Sequence, residues 1–291
     1  MNGKGLMVDN TPLGITGSTG RLGGRVARRL ADAGSPQRLL VRDPSRAPQL
    51  AGATAVRSSY ADRKAVIAAL DGLRTVLMVS ASESPDRMEQ HRAFIDAAAA
   101  AGVQQVVYIS FYGAAPDCTF TLGRDHFATE QCLRASGMAY TFLRDNLYAD
   151  FFPAMVGEDG VIRGPAGQGR VAAVAQDDIA DAAVAVLHDP EAHSGATYSL
   201  TGPEALTLDE VAAVLTDTQG RLVAYYPETV PEAYASRAVY AAPTWQVDAW
   251  VSTYTAIAAG ELAGVTGDVE RLTGHPATSL ADLLRGARTA Y

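Results

Sequence analysis

The sequence is poor in cysteine and histidine, two residue types that often build crosslinks or metal sites. It has 2 cysteines, Cys118 and Cys132, whose separation fits neither a metal-binding pair nor a disulfide framework. Of its 5 histidines, His188, His193 and His275 fall near predicted turns, without the spacing of metal ligands. We therefore expect no metal site and no disulfide network.

Basic charge and long apolar runs are also scarce. The 24 lysines and arginines are outnumbered by 32 acidic residues, which gives a net charge of −8 over 291 residues. This balance excludes the broad basic surface that gives proteins non-specific affinity for nucleic acids. No stretch approaches the roughly 18 uncharged apolar residues that cross a bilayer. With no recognisable signal peptide, these features predict a cytoplasmic protein without nucleic-acid or membrane partners.

Two charged clusters fit structural roles. Arg25, Arg28 and Arg29 lie on a predicted helix and indicate a solvated helix face. Asp177 and Asp178 are adjacent, so their side chains point in different directions and do not form a carboxylate pair. An aspartate at the start of an apolar helix is typical of an N-cap.

What the first half of the chain does contain is a regular alternation of short apolar runs and amphipathic segments. Leu22, Val26 and Leu30 recur at helical spacing before Gly34, and longer helices are predicted over residues 87–101 and 120–135. Strands that alternate with helices predict a Rossmann-type α/β fold, with a doubly wound parallel sheet covered on both faces. The six predicted strands cover residues 13–16, 38–41, 54–57, 76–79, 106–109 and 140–143.

The pattern changes after about residue 150. Residues 151–170 are rich in glycine and predict loops, while a strand over 171–174 and a helix over 178–187 resume the alternation. We therefore assign residues 11–150 to the Rossmann domain and expect residues 171–190 to complete it. Residues 151–170 and 191–291 predict a smaller, discontinuous lobe that closes over the carboxyl edge of the sheet. It includes a short strand over 196–200 and helices over 208–215, 245–259 and 279–285.

A glycine-rich turn lies directly between the first predicted strand and the first predicted helix. Gly17 allows the tight turn, Gly20 lets the backbone approach a pyrophosphate, and Gly23 lets helix and strand pack closely. The helix N-terminus adds free N–H groups and a partial positive charge. This spacing in this context predicts a dinucleotide phosphate site. Its members are Gly17, Ser18, Thr19, Gly20, Arg21, Leu22 and Gly23.

The residue after the second strand indicates which dinucleotide is bound. At this position an acidic residue would bind the ribose hydroxyls of NAD, whereas an arginine would accept the 2′-phosphate of NADP. Here Arg42 comes first and Asp43 follows, so NADP(H) is the predicted cofactor, with Arg21 and Arg46 as further positive charges. A surface arginine at a strand end would look the same in the sequence.

Other strand ends are predicted to point into the same crevice, because ligands of such sheets bind outside the carboxyl ends of the strands. Asp62 follows the third strand and could meet the adenine or cap the next helix. Residues after the fourth and fifth strands are expected along the middle of the cofactor and near its nicotinamide. They are Ser80, Ala81, Ser82 and Ser110.

The residues then suggest a known family. The segments Thr16 to Gly23, Val41 to Pro44 and Gly102 to Ser110 resemble the atypical short-chain dehydrogenases of the NmrA-like group. The stretches His126 to Glu130 and Tyr140 to Phe152 are similar to the branch of that group that reduces quinones and triphenylmethane dyes. The resemblance extends from Pro12 onward but is specific only to about residue 200. It implies an NADPH-dependent reductase of a flat, conjugated small molecule.

The resemblance also shows a departure from ordinary short-chain dehydrogenases, which carry Tyr-x-x-x-Lys on the corresponding helix. Those positions hold Leu122 and His126 here, so tyrosine-based proton transfer is absent from them. His126 is the candidate to orient the nicotinamide ribose or to donate a proton, since its unperturbed pKa is near 6.5. Tyr112 is the second candidate proton donor, and either residue could instead be structural.

The resemblance places Tyr112, Asn146, Tyr148 and Phe151 along the substrate pocket, although aromatic residues with this periodicity are also common in cores. Trp245 and Tyr254 could cover the pocket or pack the smaller lobe. Three functions follow: a quinone-type reductase, a non-catalytic NADP-binding regulatory sensor, or a ketone or imine reductase. The expected partner is a small molecule, and a homodimer is compatible with the sequence.

Overall fold

A seven-stranded sheet forms the centre of the protein, whose computed structural model describes residues 11–289 and the side chains of residues 11–286. The strands of the protein are, in chain order, β1 (Leu13–Thr16), β2 (Gln37–Val41), β3 (Ala53–Arg57), β4 (Thr75–Met78), β5 (Gln105–Phe111), β6 (Ala139–Asp145), β7 (Val161–Gly164), β8 (Arg170–Val171), β9 (Thr197–Leu200), β10 (Leu206–Thr207) and β11 (Ala224–Pro227). The sheet order is β3-β2-β1-β4-β5-β6-β9, and every pair is parallel. This confirms the Rossmann-type prediction.

Helices cover both faces of this sheet. They are α1 (Arg21–Asp32), α2 (Arg63–Leu70), α3 (Arg87–Ala100), α4 (Thr121–Ala135), α5 (Gln176–His188), α6 (Leu208–Gln219), α7 (Val230–Arg237), α8 (Thr244–Ala258), α9 (Asp268–Thr273) and α10 (Leu280–Thr289). One core packs α1 and α5 against one face, and a second packs α2, α3 and α4 against the other. No helix within residues 11–289 is long and apolar enough to cross a membrane.

The topology fixes where a ligand can bind. The chain order reverses between β1 and β4, so the connections leave in opposite directions and open a crevice at the carboxyl edge. Side-chain alternation along the central strands then decides which residues face which helices. On β5, Val107 and Ile109 face α1 and α5, whereas Tyr108 packs with Phe94 and Phe142 on the other face.

The smaller lobe has more regular structure than its glycine content predicts. The expected loop over 151–170 contains a 3-10 helix (Ala149–Met155) and β7, which pairs with β11. The strand expected over 171–174 is observed as β8, which is shorter and pairs with β10 outside the central sheet. Instead β9, which was assigned to the smaller lobe, adds to β6 as the seventh central strand. Helices α7 and α9 and strand β11 were not anticipated.

Two expectations about charged clusters were wrong. Arg25 and Arg29 do not simply face solvent, because both pair with Asp177 on α5, at 3.0 and 2.7 Å. Asp177 is not the N-cap, a position held by Ala175; the first N–H of α5 instead donates to Asp150 at 2.8 Å. The ion pairs therefore join α1 to α5, the two helices that cover one face of the sheet.

Candidate cofactor and acceptor site

The glycine turn has the backbone geometry of an anion cradle. Gly17 has a φ of +66°, a region that favours glycine, and its carbonyl accepts a hydrogen bond from the N–H of Gly20 at 2.9 Å. A Cβ on Gly23 would collide with that same carbonyl, so the first turn of α1 packs directly on the end of β1. The N-cap Gly20 has no side chain to satisfy the first N–H groups of α1.

These features fit the pyrophosphate of a dinucleotide. The first turn of α1 carries no acidic residue, so its partial positive charge is not neutralised locally. The Ser18 hydroxyl is buried in the turn and has no hydrogen-bond partner among the described residues. A buried hydroxyl without a partner is costly, and a phosphate oxygen would satisfy it. The turn would therefore hold the phosphates through backbone N–H groups and Ser18.

Arg42 and Asp43 are both exposed after β2, but they are engaged differently. The Asp43 carboxylate accepts from the N–H of Ser45 at 3.0 Å and from its hydroxyl at 2.7 Å, capping a short 3-10 helix. Arg42 makes no hydrogen bond or ion pair with any residue between 11 and 286. The Asp43 carboxylate is thus occupied by hydrogen bonds within the turn, whereas the Arg42 guanidinium can bind a phosphate.

Asp62 and Ser110 were predicted near the cofactor, and Asp62 was equally expected to cap the next helix. The Asp62 carboxylate caps α2 by accepting from the N–H of Ala65 at 3.0 Å. Ser110 is fully buried and donates to Glu130 on α4 at 2.7 Å, because strand alternation turns it away from the crevice. Both side chains therefore have structural partners.

A large cavity opens at the carboxyl edge of the sheet, with a volume of about 940 Å³. The after-β4 residues Ser80, Ala81 and Ser82 line it, as do His126, Asn146, Tyr148 and Phe151. The rest of its wall carries further aromatic side chains from both lobes: Phe111, Phe120, Phe152, Tyr240, Trp250 and Tyr254. It also carries ionisable side chains: Glu83, Arg87, Asp145, Arg163 and Arg237.

Tyr112 and Trp245 lie outside this cavity. Tyr112 turns its hydroxyl toward Gly264, so close that a Cβ there would collide with it. It is therefore not placed as a proton donor or as a substrate contact. Two residues of α8 line the cavity, Trp250 and Tyr254. Tyr254 therefore takes the pocket position of its two alternatives, whereas Trp250, and not Trp245, is the tryptophan in the cavity wall.

The loop after β4 is held from behind by α3. The Ala81 N–H donates to Nε2 of His91 at 2.9 Å, and the Ala81 carbonyl accepts from Nε of Arg87 at 3.1 Å. Nδ1 of His91 in turn contacts the hydroxyl of Thr129 at 2.8 Å. Burial lowers the pKa of His91 to about 3, with the charge of Arg87 adding to the effect, so the ring stays neutral. The backbone of Ala81 is fixed on both sides.

His126 lines the cavity with both ring nitrogens already engaged. Its Nε2 lies 3.0 Å from a guanidinium nitrogen of Arg87, and its Nδ1 lies 2.9 Å from the hydroxyl of Tyr108. Since arginine can only donate, Nε2 accepts and Nδ1 carries the proton. Burial, followed by the charge of Arg87, holds the pKa of His126 well below its usual value. The ring is therefore a neutral, positioned group rather than an imidazolium acid.

Three further cavity residues come from the segment after β6. The Asn146 side-chain amide donates to the carbonyl of Leu262 at 3.0 Å, so its role in the wall is to fix the backbone. The Tyr148 hydroxyl donates to Asp145 at 3.1 Å. Phe151 is 42% exposed, and the guanidinium of Arg21 lies 5.6 Å from its ring centre. This contact connects the glycine turn to the cavity.

Comparisons with known proteins match this architecture. Residues 17–190 match the model of a family described as NAD(P)H-binding. Quinone oxidoreductase 2 of Escherichia coli K12 is 34% identical over 278 residues, which is 93% of this chain and 96% of that protein. The crystal structure of Citrobacter sp. triphenylmethane reductase complexed with NADP(H) is 30% identical, with a TM-score of 0.85 over 94% of this chain and 99% of that one.

The chain belongs to the NAD(P)H-binding family. Its similarity to a named oxidoreductase along nearly its whole length makes it an NAD(P)H-dependent oxidoreductase and confirms the resemblance inferred from the motifs. NmrA, a negative transcriptional regulator solved in complex with NAD, is 16% identical with a TM-score of 0.75 over 95% of both chains. That likeness concerns the fold alone.

Sequence patterns missed several ionisable residues of the cavity, among them Arg87 and Asp145. Arg87 is buried and reaches Asp125, 38 residues away, and His126, 39 residues away, so no local motif reveals it. Asp145 ends β6 and is 4% exposed. The segment Arg144-Asp145-Asn146 was noticed only as part of the resemblance, although a carboxylate that ends a buried strand is itself an unusual feature. No group of three or more potential metal ligands occurs among the described residues.

Proposed function

We propose that this oxidoreductase reduces a quinone or another flat, conjugated small molecule with NADPH. The observation that carries the proposal is the cavity of about 940 Å³, which begins at the loop after β4 and has aromatic side chains from both lobes in its wall. Stacking on aromatic side chains favours planar conjugated ligands. The bound dinucleotide would supply the hydride, held by Ser18 and the backbone of the glycine turn, with Arg42 on its 2′-phosphate.

The surroundings of the cavity favour this acceptor class over simple ketones. The two donors considered for ketone or imine reduction were Tyr112, which lies outside the cavity, and His126, whose ring nitrogens are both occupied. Catalysis would then come chiefly from holding the nicotinamide and acceptor at reacting distance. The relatives whose names include quinone and triphenylmethane reductases support the same class.

The test follows NADPH absorbance with a panel of quinones, cationic dyes, ketones and imines. We expect turnover with quinones and dyes. Tight NADP binding without turnover of any acceptor would instead favour the regulatory sensor. A blocking variant localises the reaction: Ala154→Trp places a bulky ring on the cavity wall and should raise the acceptor KM about 10-fold or more, by steric exclusion. The matched control, Ala192→Trp, changes an exposed alanine that does not line the cavity.

A further inference from the structure

The cavity contains one buried carboxyl group without a positively charged partner. It belongs to Asp145, the last residue of β6. We propose that Asp145, held by Tyr148, is the catalytic acid that protonates the acceptor as it is reduced. This inference rests on the proposed reductase function and assigns the proton donor that the missing Tyr-x-x-x-Lys pair leaves open.

The position of Asp145 suits that role. It faces Phe111 in the register of β5 and Leu200 in the register of β9, so its sheet neighbours are apolar. Its Oδ2 accepts a hydrogen bond from the Tyr148 hydroxyl at 3.1 Å. Within residues 11–286, no lysine, arginine or histidine lies in ion-pair contact with this carboxylate. A buried carboxylate without a cation is unfavourable, so the neutral acid is the stable form.

Charged groups on the surrounding elements do not reverse this preference. Asp150, on the same segment, is already paired with Arg25 of α1 at 3.2 Å. Arg87 of α3 acts on Tyr148 from across the cavity, but its own contacts are with Ala81, Asp125 and His126.

Arg163 and Arg237 also line the cavity, but they are paired with Asp159 and Glu228. His126 of α4 is neutral, and the first residue of α5 is Gln176. Burial accordingly raises the pKa of Asp145 well above its usual range, opposed by the Tyr148 hydroxyl and by a backbone hydrogen bond. Burial, followed by the proximity of Asp145, also raises the pKa of Tyr148, so that hydroxyl keeps its proton.

Glu130 shows what a structural carboxylate looks like in the same fold. It is also fully buried, but it accepts two hydrogen bonds from Arg144, at 2.8 and 2.7 Å, and one from Ser110. Arg134 lies 3.3 Å away as a second cation. Glu130 therefore has compensating charge and no access to the cavity, whereas Asp145 has the cavity and no compensating charge.

The proposed step balances for a quinone. Reduction to the quinol adds one hydride, supplied by NADPH, and one proton. The hydride leaves NADPH as its C–H bond breaks and bonds to a ring carbon conjugated with a carbonyl, whose π electrons move onto oxygen. That oxygen takes the proton as the O–H bond of Asp145 breaks. A proton shift from the ring carbon to the second oxygen, through water, then gives the quinol. The resulting carboxylate regains a proton from water through the cavity. A cationic triphenylmethane dye needs only the hydride, because hydride addition alone gives a neutral product.

This difference between acceptors provides the experiment. Asp145→Asn keeps the size of the side chain but cannot release a proton. We expect its turnover of a quinone at pH 7 to fall about 10- to 100-fold, whereas turnover of a cationic dye stays within about twofold. Glu130→Gln is the matched control, since it alters the other buried carboxylate and should leave the ratio of quinone to dye turnover unchanged.

The variant Tyr148→Phe provides a second, independent test, the pH dependence of quinone turnover. Because the Tyr148 hydroxyl lowers the pKa of Asp145, its removal should move the loss of quinone turnover at high pH to a still higher pH. A readout without turnover is infrared difference spectroscopy of wild type against Asp145→Asn. It should show the carbonyl band of a protonated carboxylic acid at pH 7.

The outcomes separate this assignment from the proposed function. If the wild type reduces no acceptor, the reductase proposal fails. If it reduces quinones and Asp145→Asn keeps the wild-type rate, or loses quinone and dye turnover equally, the role of Asp145 is overturned and the reductase proposal stands. Absence of the protonated-acid band at pH 7 overturns it as well, whichever acceptors are used.

Discussion

The two ends of the crevice are built in different ways. The phosphate end is one continuous turn, residues 17–23, supplemented by Arg42 at the next strand end. The acceptor end is assembled from the segments after β4, β5 and β6 and from the α7–α8 region of the smaller lobe. Backbone geometry specifies the first, whereas packing between distant segments specifies the second. Changes at the phosphate end should therefore act chiefly on cofactor affinity, and changes at the acceptor end should act on stability to a greater extent.

The two ends also differ in their electrostatics. The phosphate end presents helix N–H groups and the unpaired Arg42 toward solvent, ready for a charged ligand. At the acceptor end, burial keeps His91 and His126 neutral and raises the pKa of Asp145. The arginines of the cavity wall, Arg87, Arg163 and Arg237, are paired with acidic residues. An uncharged conjugated acceptor suits this arrangement, since an unpaired charge in the wall would have to be desolvated.

The sharpest test of the phosphate end is Gly23→Ala. The added Cβ would meet the Gly17 carbonyl and approach the Thr16 carbonyl to 2.9 Å, and backbone atoms cannot rotate away. We expect NADPH affinity to fall more than about 100-fold through displacement of the cradle. Isothermal titration measures the affinity. Gly24→Ala is the matched control, because its Cβ meets only one backbone atom, the Ser18 carbonyl, at 3.1 Å. Similar losses in both variants would contradict a role specific to Gly23.

Arg42→Ala tests whether the same end selects NADP. Charge-assisted hydrogen bonds contribute roughly 1.5–3 kcal/mol, so NADPH binding should weaken about 10- to 100-fold and NADH binding much less. The measurement is the ratio of the two dissociation constants. Arg46→Ala, on the adjacent 3-10 helix, serves as the comparison and should change that ratio less. An equal loss for both cofactors would remove the NADP assignment.

The contrast between the two ends also explains which parts of the fold and site can be predicted from sequence patterns. The β1–turn–α1 unit and Arg42 follow from local spacing, and the central strands follow from apolar runs. Ser110 and Tyr112 were misplaced because a residue at a strand end can face either side, and only the register settles which. Ser110 faces α4, while the neighbouring Phe111 lines the cavity.

A local contact decides the role of Asp62, and long-range contacts account for the remaining misses. Asp62 was evenly balanced between two roles, and the helix that begins at Arg63 decides for capping. Arg87 and Asp145 acquire meaning only through partners on other elements. The place of β9 in the central sheet could not be predicted, because so short a strand carries too little periodicity to show which sheet it joins.

A third prediction concerns the support behind the acceptor end. His91 has a pKa of about 3 in the fold, below the unfolded value near 6.5, so the unfolded chain binds a proton that the folded chain does not. Its contribution to stability is present above pH 6.5 and is lost as the pH falls toward 3. Between pH 7 and 5, the wild type should lose about 2 kcal/mol more of its free energy of unfolding than His91→Gln.

Urea unfolding at the two pH values measures this difference. His188→Gln is the control, since that histidine is exposed at the end of α5, and its pH dependence should follow the wild type. If His91→Gln also follows the wild type, then His91 is not the neutral buried support that its contacts with Ala81 and Thr129 indicate.

The smallest expected effect lies outside both ends, at the ion pairs between α1 and α5. Asp177 accepts from Arg25 and Arg29, and all three side chains are partly exposed. Partly exposed pairs contribute little, so Asp177→Asn should lower the free energy of unfolding by about 1 kcal/mol. Because the pairs hold the helix and leave the glycine turn untouched, NADPH affinity should change less than about twofold. A larger loss of affinity than of stability would show that the phosphate end depends on tertiary packing too, which would weaken the contrast between the two ends.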